Sequence, residues 1–170
     1  MLLTVRYEAR NQVLEMEQVA EHCFKCGVCA LVCPVTRYAE GYNPRKTFVY
    51  EVFGASEPTA NEDLWSCAVC YKCNEVCPQD VNPPEVFKSL KNAAFQDGLA
   101  PSSVTAPIES VIHTGVAFPM SAASKKRRDQ LGLRPFSSKG IHELRRIVEA
   151  TGFKRRFSEL YGSGTDDGKR

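Results

Sequence analysis

The sequence predicts an all-α chain, and three stretches carry that prediction. Residues 43 to 54, "NPRKTFVYEVFG", and 82 to 98, "NPPEVFKSLKNAAFQDG", each open on Asn-Pro, close on glycine and space apolar residues between as a helix would. In residues 137 to 153, "SSKGIHELRRIVEATGF", Ile141, Leu144, Ile147 and Val148 form one amphipathic stripe ending at Gly152.

The flanks of these helices bound what the chain is. With 43% apolar and 25% charged residues it has the composition of an ordered globular protein. No run approaches the roughly 18 consecutive apolar residues of a membrane helix. The first residues, "MLLTVRYEARNQ", have no basic leader followed by an apolar core and a small-residue cleavage site, so a soluble, intracellular, cytoplasmic protein without membrane insertion is expected. A short helical lead-in brings the chain to the first cysteine.

That cysteine opens "CFKCGVCALVCP", residues 23 to 34, and the pattern returns as "CAVCYKCNEVCP" at 67 to 78. Each copy reads C-x2-C-x2-C-x3-C-P. The eight cysteines, Cys23, Cys26, Cys29, Cys33, Cys67, Cys70, Cys73 and Cys77, are all the chain has, and each of the second comb follows its counterpart by 44 residues. A disulfide framework needs an oxidising compartment, to which nothing here directs the chain. Zinc wants four ligands at one tetrahedral point, commonly two C-x2-C pairs, and explains neither the third cysteine at a second x2 interval nor the x3-Cys-Pro ending.

A cubane [4Fe–4S] cluster explains both. It offers four iron corners, three of which a loop with cysteines three apart can wrap. In two-cluster ferredoxins this run sends its fourth cysteine to the other cluster. By that rule Cys23, Cys26, Cys29 and Cys77 hold cluster 1, and Cys67, Cys70, Cys73 and Cys33 hold cluster 2. Gly27 would let the backbone pass close to the cube. Val28, Ala30, Leu31, Val32, Ala68, Val69 and Val76 would keep water off the sulfides or simply pack as core. Lys25 and Lys72 stand inside the combs, where they could offset cluster charge or face solvent. His22 adjoins full thiolate sets and reads as a surface residue at a helix end.

Between the combs, Asn43 is a good N-cap and Pro44 suits the first helical position. Phe48, Val49, Val52 and Phe53 then make the apolar stripe, and Gly54 closes the helix. "NEDLWSC" predicts a short helix from near Asn61, with Trp65 packed beside a cluster. After the second comb, Asn82 is the expected cap, Pro83 and Pro84 open the helix, and Gly98 with Pro101 ends it. Val86, Phe87, Leu90 and Ala94 are its inward face.

These segments together resemble a known family. "CFKCGVCALVCPVTRY", "YNPRK" and "DLWSCAVCYKCNEVCPQDVNPPEVFKSLKNAAFQDGLAP" are similar, over roughly residues 20 to 101, to the C subunit of heterodisulfide reductase. The resemblance implies an α-helical ferredoxin fold with two [4Fe–4S] clusters on the eight cysteines. It also implies a hetero-oligomer in which this subunit, itself without a catalytic site, takes electrons from a flavin- and cluster-bearing subunit. It would pass them to a cysteine-rich catalytic subunit that reduces the disulfide of coenzyme M and coenzyme B in methanogenesis. The iron–sulfur subunit of succinate dehydrogenase shares fold and comb but has an N-terminal [2Fe–2S] domain. Only 22 residues, none cysteine, precede Cys23, which argues against that type.

Residues 1–101 thus read as the cluster domain and 102–170 as a helical, basic extension. In the extension, "TAPIESVIHTG" predicts a helix capped by Thr105, with Pro107 in its first turn and Gly115 at its end. "SAASKKRRDQLGL" predicts another from Ser121 to Gly132. The 141–152 stripe either folds back or docks on a partner, His113 and His142 read as structural, and "YGSGTDDGKR" reads as a disordered tail. Residues 125–170 hold 13 Lys and Arg against 6 Asp and Glu, a net of +7, while the rest of the chain carries −5. The densest basic run, Lys125 to Arg128, is short and lacks interleaved aromatics, so a solvated or docking face is expected and nucleic acid is not.

No dinucleotide fingerprint, phosphate loop or nucleophile elbow is present, and no thiol is left for disulfide chemistry. The chain therefore reads as an electron conduit. A relay in a sulfur-oxidising heterodisulfide-reductase-like or quinone-linked complex is the alternative, and a zinc-binding structural adaptor a more distant one.

Overall fold

The computed structural model describes residues 6–52, 62–134 and 140–162, and these are all helix, turn and loop. Two compact units divide the chain, residues 1–99 and 100–170.

In the first unit, α1 (Tyr7–Met16) leads through a 3-10 turn (Gln18–His22) into the first comb. Each comb ends in a very short helix: α2 (Val28–Val32) in the first, α4 (Lys72–Glu75) in the second. Between them run a 3-10 turn (Val35–Arg37), α3 (Pro44–Val52) and a 3-10 turn (Glu62–Ser66); α5 (Pro83–Gln96) follows. Helix α1 packs on α3 and α5, α3 packs on α5, and α2 packs on α4. Their shared core is Val13, Ala20, Phe48, Val52, Leu64, Val81, Val86, Phe87 and Leu90, with Cys23, Cys67 and Cys77 packed against it. The ligand loops therefore sit directly on the core.

Helix α3 begins as the sequence predicts. The Asn43 Oδ1 accepts the backbone N–H groups of Arg45 at 3.0 Å and Lys46 at 3.2 Å, satisfying two donors the first turn would otherwise leave bare. Asn43→Ala is expected to cost about 1 kcal/mol, read as a lower unfolding midpoint with the fold retained. Phe48 and Val52 are buried and Val49 half-buried; Phe53, Gly54 and Asn61 lie outside the described residues.

Helix α5 buries Val86, Phe87, Leu90 and Ala94. Its end is a Schellman motif: Gly98 is left-handed at φ 76°, its N–H reaches the Phe95 carbonyl, and the Leu99 N–H reaches Ala94. The start departs from expectation. Asn82 occupies the cap position, but its side chain makes no capping bond and its Oδ1 is buried without a hydrogen-bond partner. Pro83 and Pro84 offer no N–H, and the first available donor, that of Glu85, is taken by the Asn82 carbonyl at 3.1 Å. In the 62–66 turn the core residue is Leu64, while Trp65 is half-buried under the Lys91 ammonium.

The second unit holds α6 (Ser102–Thr114), α7 (Ala122–Gln130), α8 (Ile141–Ala150) and α9 (Phe153–Tyr161). Helix α6 starts earlier than expected. The Pro101 carbonyl accepts the N–H groups of Val104 and Thr105, so Thr105 is a helical residue rather than the cap and Pro107 lies inside the helix. Gly115, left-handed at φ 79°, ends it. Ser121 caps α7, accepting the Ser124 N–H at 3.1 Å. In α8, Val148 is buried but Ile147 is 60% exposed, so the stripe is narrower than its pattern. Gly152 ends α8 and also opens α9, a helix the sequence pattern does not announce; its buried residue is Phe157, stacked near Phe153 and Tyr161. Residues 163–170 lie outside the described residues. Among the described residues, no helix is long and apolar enough to cross a membrane.

Candidate metal centre

The two combs share one backbone course. Lys25 and Val69, which correspond, are both left-handed, at φ 63° and 49°; so are Gly27 and Tyr71, at 85° and 60°. Left-handed geometry costs an L-residue about 1–2 kcal/mol and is least natural for a β-branched residue such as Val69. Such strain repeated at matched positions marks a loop shaped for something other than its own stability. Alternation of left- and right-handed residues is the backbone form that makes concave nests for anions, iron–sulfur clusters among them. At Gly27 the positive φ is the constraint. A Cβ there would meet Arg45 Cδ at 3.4 Å, a close contact but no clash.

Eight thiols border two recesses. The first, enclosing about 370 Å³ including its solvent-open part, is lined by Cys23, Cys26, Cys29 and Cys77, with Gly27, Val28, Arg45, Phe48, Val81 and Pro83 around them. The second, of about 330 Å³ on the same measure, is lined by Cys33, Cys67, Cys70 and Cys73, with Tyr42, Val69, Pro84 and Phe87. Cys33 thus borders the recess of the other comb, and Cys77 does the reverse. The crossing follows from the packing of α2 on α4, each of which is followed by the fourth cysteine of its own comb. Phe48 of one recess and Phe87 of the other meet edge to face, ring centroids 6.2 Å apart, and form a dry wall between them.

The donor set fits iron–sulfur clusters. Each recess has four soft thiol donors and a largely apolar lining, the environment such clusters take. Among the described residues, no three His, Cys, Asp or Glu side chains converge as one ion would require; the thiols surround spaces instead. Cys26 and Cys70 are exposed and the other six half-buried, so each recess presents one cysteine to the surface. Burial raises the Cys29 thiol, with Cys23 and Cys26 adding to it against an opposing Ala30 N–H. Burial likewise pushes Cys73 up to about 12, helped by Cys67 and Cys29. These thiols hold their protons at neutral pH, so metal binding must displace them.

Three side chains that the sequence pattern does not single out stand at the recesses. Arg45 Nε donates to the Lys25 carbonyl at 2.9 Å. Lys91 Nζ donates to the Cys67 carbonyl at 2.6 Å, and burial lowers its pKa while Cys67 opposes the shift. Tyr42 is only 4% exposed and lines the second recess, and burial is the main force raising its pKa, ahead of the neighbouring Cys67. Arg45 and Tyr42 belong to the "YNPRK" segment, the one sequence signal that could have found them. Other expectations move outward. Leu31 is 77% and Val76 39% exposed, so neither shields a recess: each lies on the outer side of its short helix or turn. Trp65 does not line either recess. Lys25 and Lys72 are exposed, the solvent-facing one of their two expected roles, although Lys25 also lines the first recess; His22 is exposed as expected, and so are His113 and His142.

Comparison with known proteins agrees with this chemistry. Residues 19–81 match the 4Fe-4S dicluster domain. Over 165 residues the chain is 33% identical to the C2 subunit of the H(2)/formate:CoB-CoM heterodisulfide,ferredoxin reductase of Methanococcus maripaludis, covering 91% of this chain and 86% of that protein. It is 31% identical over 139 residues to an iron-sulfur C subunit, the second of its kind, of the CoB--CoM heterodisulfide reductase of Methanocaldococcus jannaschii, 78% of this chain and 74% of the relative. To the C subunit of the ferredoxin/F(420)H(2)-dependent CoB-CoM heterodisulfide reductase of Methanosarcina acetivorans it is 32% identical over 113 residues, 66% of this chain and 70% of that one.

Proposed function

The chain belongs to the heterodisulfide reductase C-subunit family, and from that membership we propose that it is the electron-transfer subunit of a cytoplasmic heterodisulfide reductase complex. In this reading Cys23, Cys26, Cys29 and Cys77 hold one [4Fe–4S] cluster and Cys67, Cys70, Cys73 and Cys33 the other. Residues 1–101 are the cluster domain, a division supported by the compactness of residues 1–99, and 102–170 are its helical extension. The clusters, when bound, supply one-electron chemistry. The protein holds them on rigid loops, keeps their inner sides dry and leaves one cysteine of each at the surface.

The carrying observation is the sorting of the eight thiols into two recesses by the crossed rule. No substrate site is required of such a chain. Electrons arrive from a flavin- and cluster-bearing subunit and leave to a cysteine-rich catalytic subunit that reduces the coenzyme M–coenzyme B disulfide, within a hetero-oligomer.

Anoxic purification of the chain with whatever remains bound tests the reading. Four iron and four acid-labile sulfide per cluster are expected, together with a large flavoprotein and a cysteine-rich subunit. Zinc without sulfide would end the iron–sulfur reading. Clusters with a membrane cytochrome or a quinone-linked dehydrogenase would keep the relay and place it in another complex.

A further inference from the structure

We infer that the Arg45 guanidinium, fixed at the mouth of the first recess, raises the reduction potential of the first comb's cluster. This rests on the two-cluster reading above and deepens it.

The two recesses are alike in thiols and apolar walls but differ in charge. Lys25 and Arg45 stand among the residues lining the first. The described residues lining the second include no Lys, Arg, Asp or Glu. Arg45 is held in place at both ends. Its backbone N–H is fixed by the Asn43 cap in the first turn of α3. Its Nε donates to the Lys25 carbonyl at 2.9 Å, and its Cδ lies 3.4 Å from where a Cβ on Gly27 would stand. The side chain therefore runs along residues 25 to 27, the part of the ligand loop that contains Cys26.

The tether uses one of the five N–H groups of a guanidinium, so holding the loop does not by itself call for arginine; a neutral amide would serve. What arginine adds is a charge that persists at every working pH.

Reduction adds one electron, and hence one negative charge, to whatever the four thiolates hold. A cation beside that site stabilises the reduced state more than the oxidised one, and charge is among the levers on such potentials. Because Arg45 is exposed, salt screens it, and its effect must shrink as ionic strength rises. A tenfold change in the one-electron reduction equilibrium corresponds to about 59 mV.

The test is a redox titration of the cluster-loaded chain with dithionite and soluble mediators, followed by EPR at low and high salt. Arg45→Gln puts an amide N–H where Nε stands and removes the charge, whereas Arg45→Lys keeps the charge. Lys46→Gln is the matched control, since that ammonium lies over the Tyr50 ring and lines neither recess. A Cys26→Ser variant identifies the first comb's signal whichever way the fourth cysteines cross. Arg45→Gln should lower that midpoint by about 59 mV at low salt and by less at high salt. The other midpoint should move less and the iron content stay as in wild type, and Arg45→Lys and Lys46→Gln should stay near wild type. A loaded Arg45→Gln with its first midpoint unmoved overturns the inference. So does an equal shift of both midpoints, a shift that salt leaves unchanged, or one that Arg45→Lys or Lys46→Gln reproduces. Should Arg45→Gln fail to take up iron, Arg45→Met, which keeps the stem beside Gly27, carries the same expectations. A wild-type chain without two titrating clusters would instead sink the two-cluster reading and this inference with it.

Discussion

Replacing Cys33 with serine is expected to remove or alter the cluster of the second comb while the cluster of its own comb survives. The distinction is sharp because sequence proximity and spatial proximity disagree at this residue. Cys33 follows α2 directly and belongs to the comb of Cys23, Cys26 and Cys29, yet it lines the recess of Cys67, Cys70 and Cys73. Extended backbone at φ −69° and ψ 119° ends α2 there, and Pro34 follows. Cys77→Ser should do the converse. Serine keeps the size of the side chain and removes the soft thiolate that iron–sulfur clusters prefer, so each variant is expected to lose up to half the iron and one of two EPR signals. Loss of only the first comb's signal in Cys33→Ser would refute the crossed assignment.

A second large effect is expected from Phe87→Ala. Phe87 is fully buried at the centre of the core, lines the second recess and meets Phe48, which lines the first. Truncating a buried phenylalanine costs about 3–5 kcal/mol, against a total stability of about 5–15 kcal/mol for a typical domain. Both recesses share the wall that is lost. The variant should melt well below wild type and release iron from both clusters together, measured by anoxic thermal unfolding with an iron chelator present. Ile147→Ala, at an exposed position of the other unit, should change stability by no more than about 0.5 kcal/mol. Selective loss of one cluster in Phe87→Ala would show that the wall does not support both.

Much of this was legible in the sequence because its signals are local. Cysteine spacing shapes a loop, Asn-Pro starts α3, and Gly98 ends α5, each by physics confined to a few residues. The recess neighbours were not legible for the opposite reason. Lys91 reaches a carbonyl 24 residues earlier and Arg45 one 20 residues earlier, and no periodicity encodes such contacts. Asn82 failed as a side-chain cap because two prolines after it leave little to cap. The pattern also overstated burial at Leu31, Val76 and Ile147, since a short or surface helix has no room to cover every apolar side chain it carries. Helix α9 was hidden by Gly152, which reads as a stop although the same left-handed glycine can also begin the next helix.

Arg45 and Lys91 lie on α3 and α5, the helices that contribute Phe48 and Phe87 to the core, and each ties a ligand loop to its helix by one carbonyl. The speed of electron exchange depends on how far the surroundings must rearrange when charge arrives. A loop pinned to the core by a cation has little freedom to rearrange, and dipoles already in place need not turn. In the electron-transfer role proposed above, the two tethers would act on the barrier to electron exchange as well as on the fold, keeping the reorganisation energy of each ligand loop small.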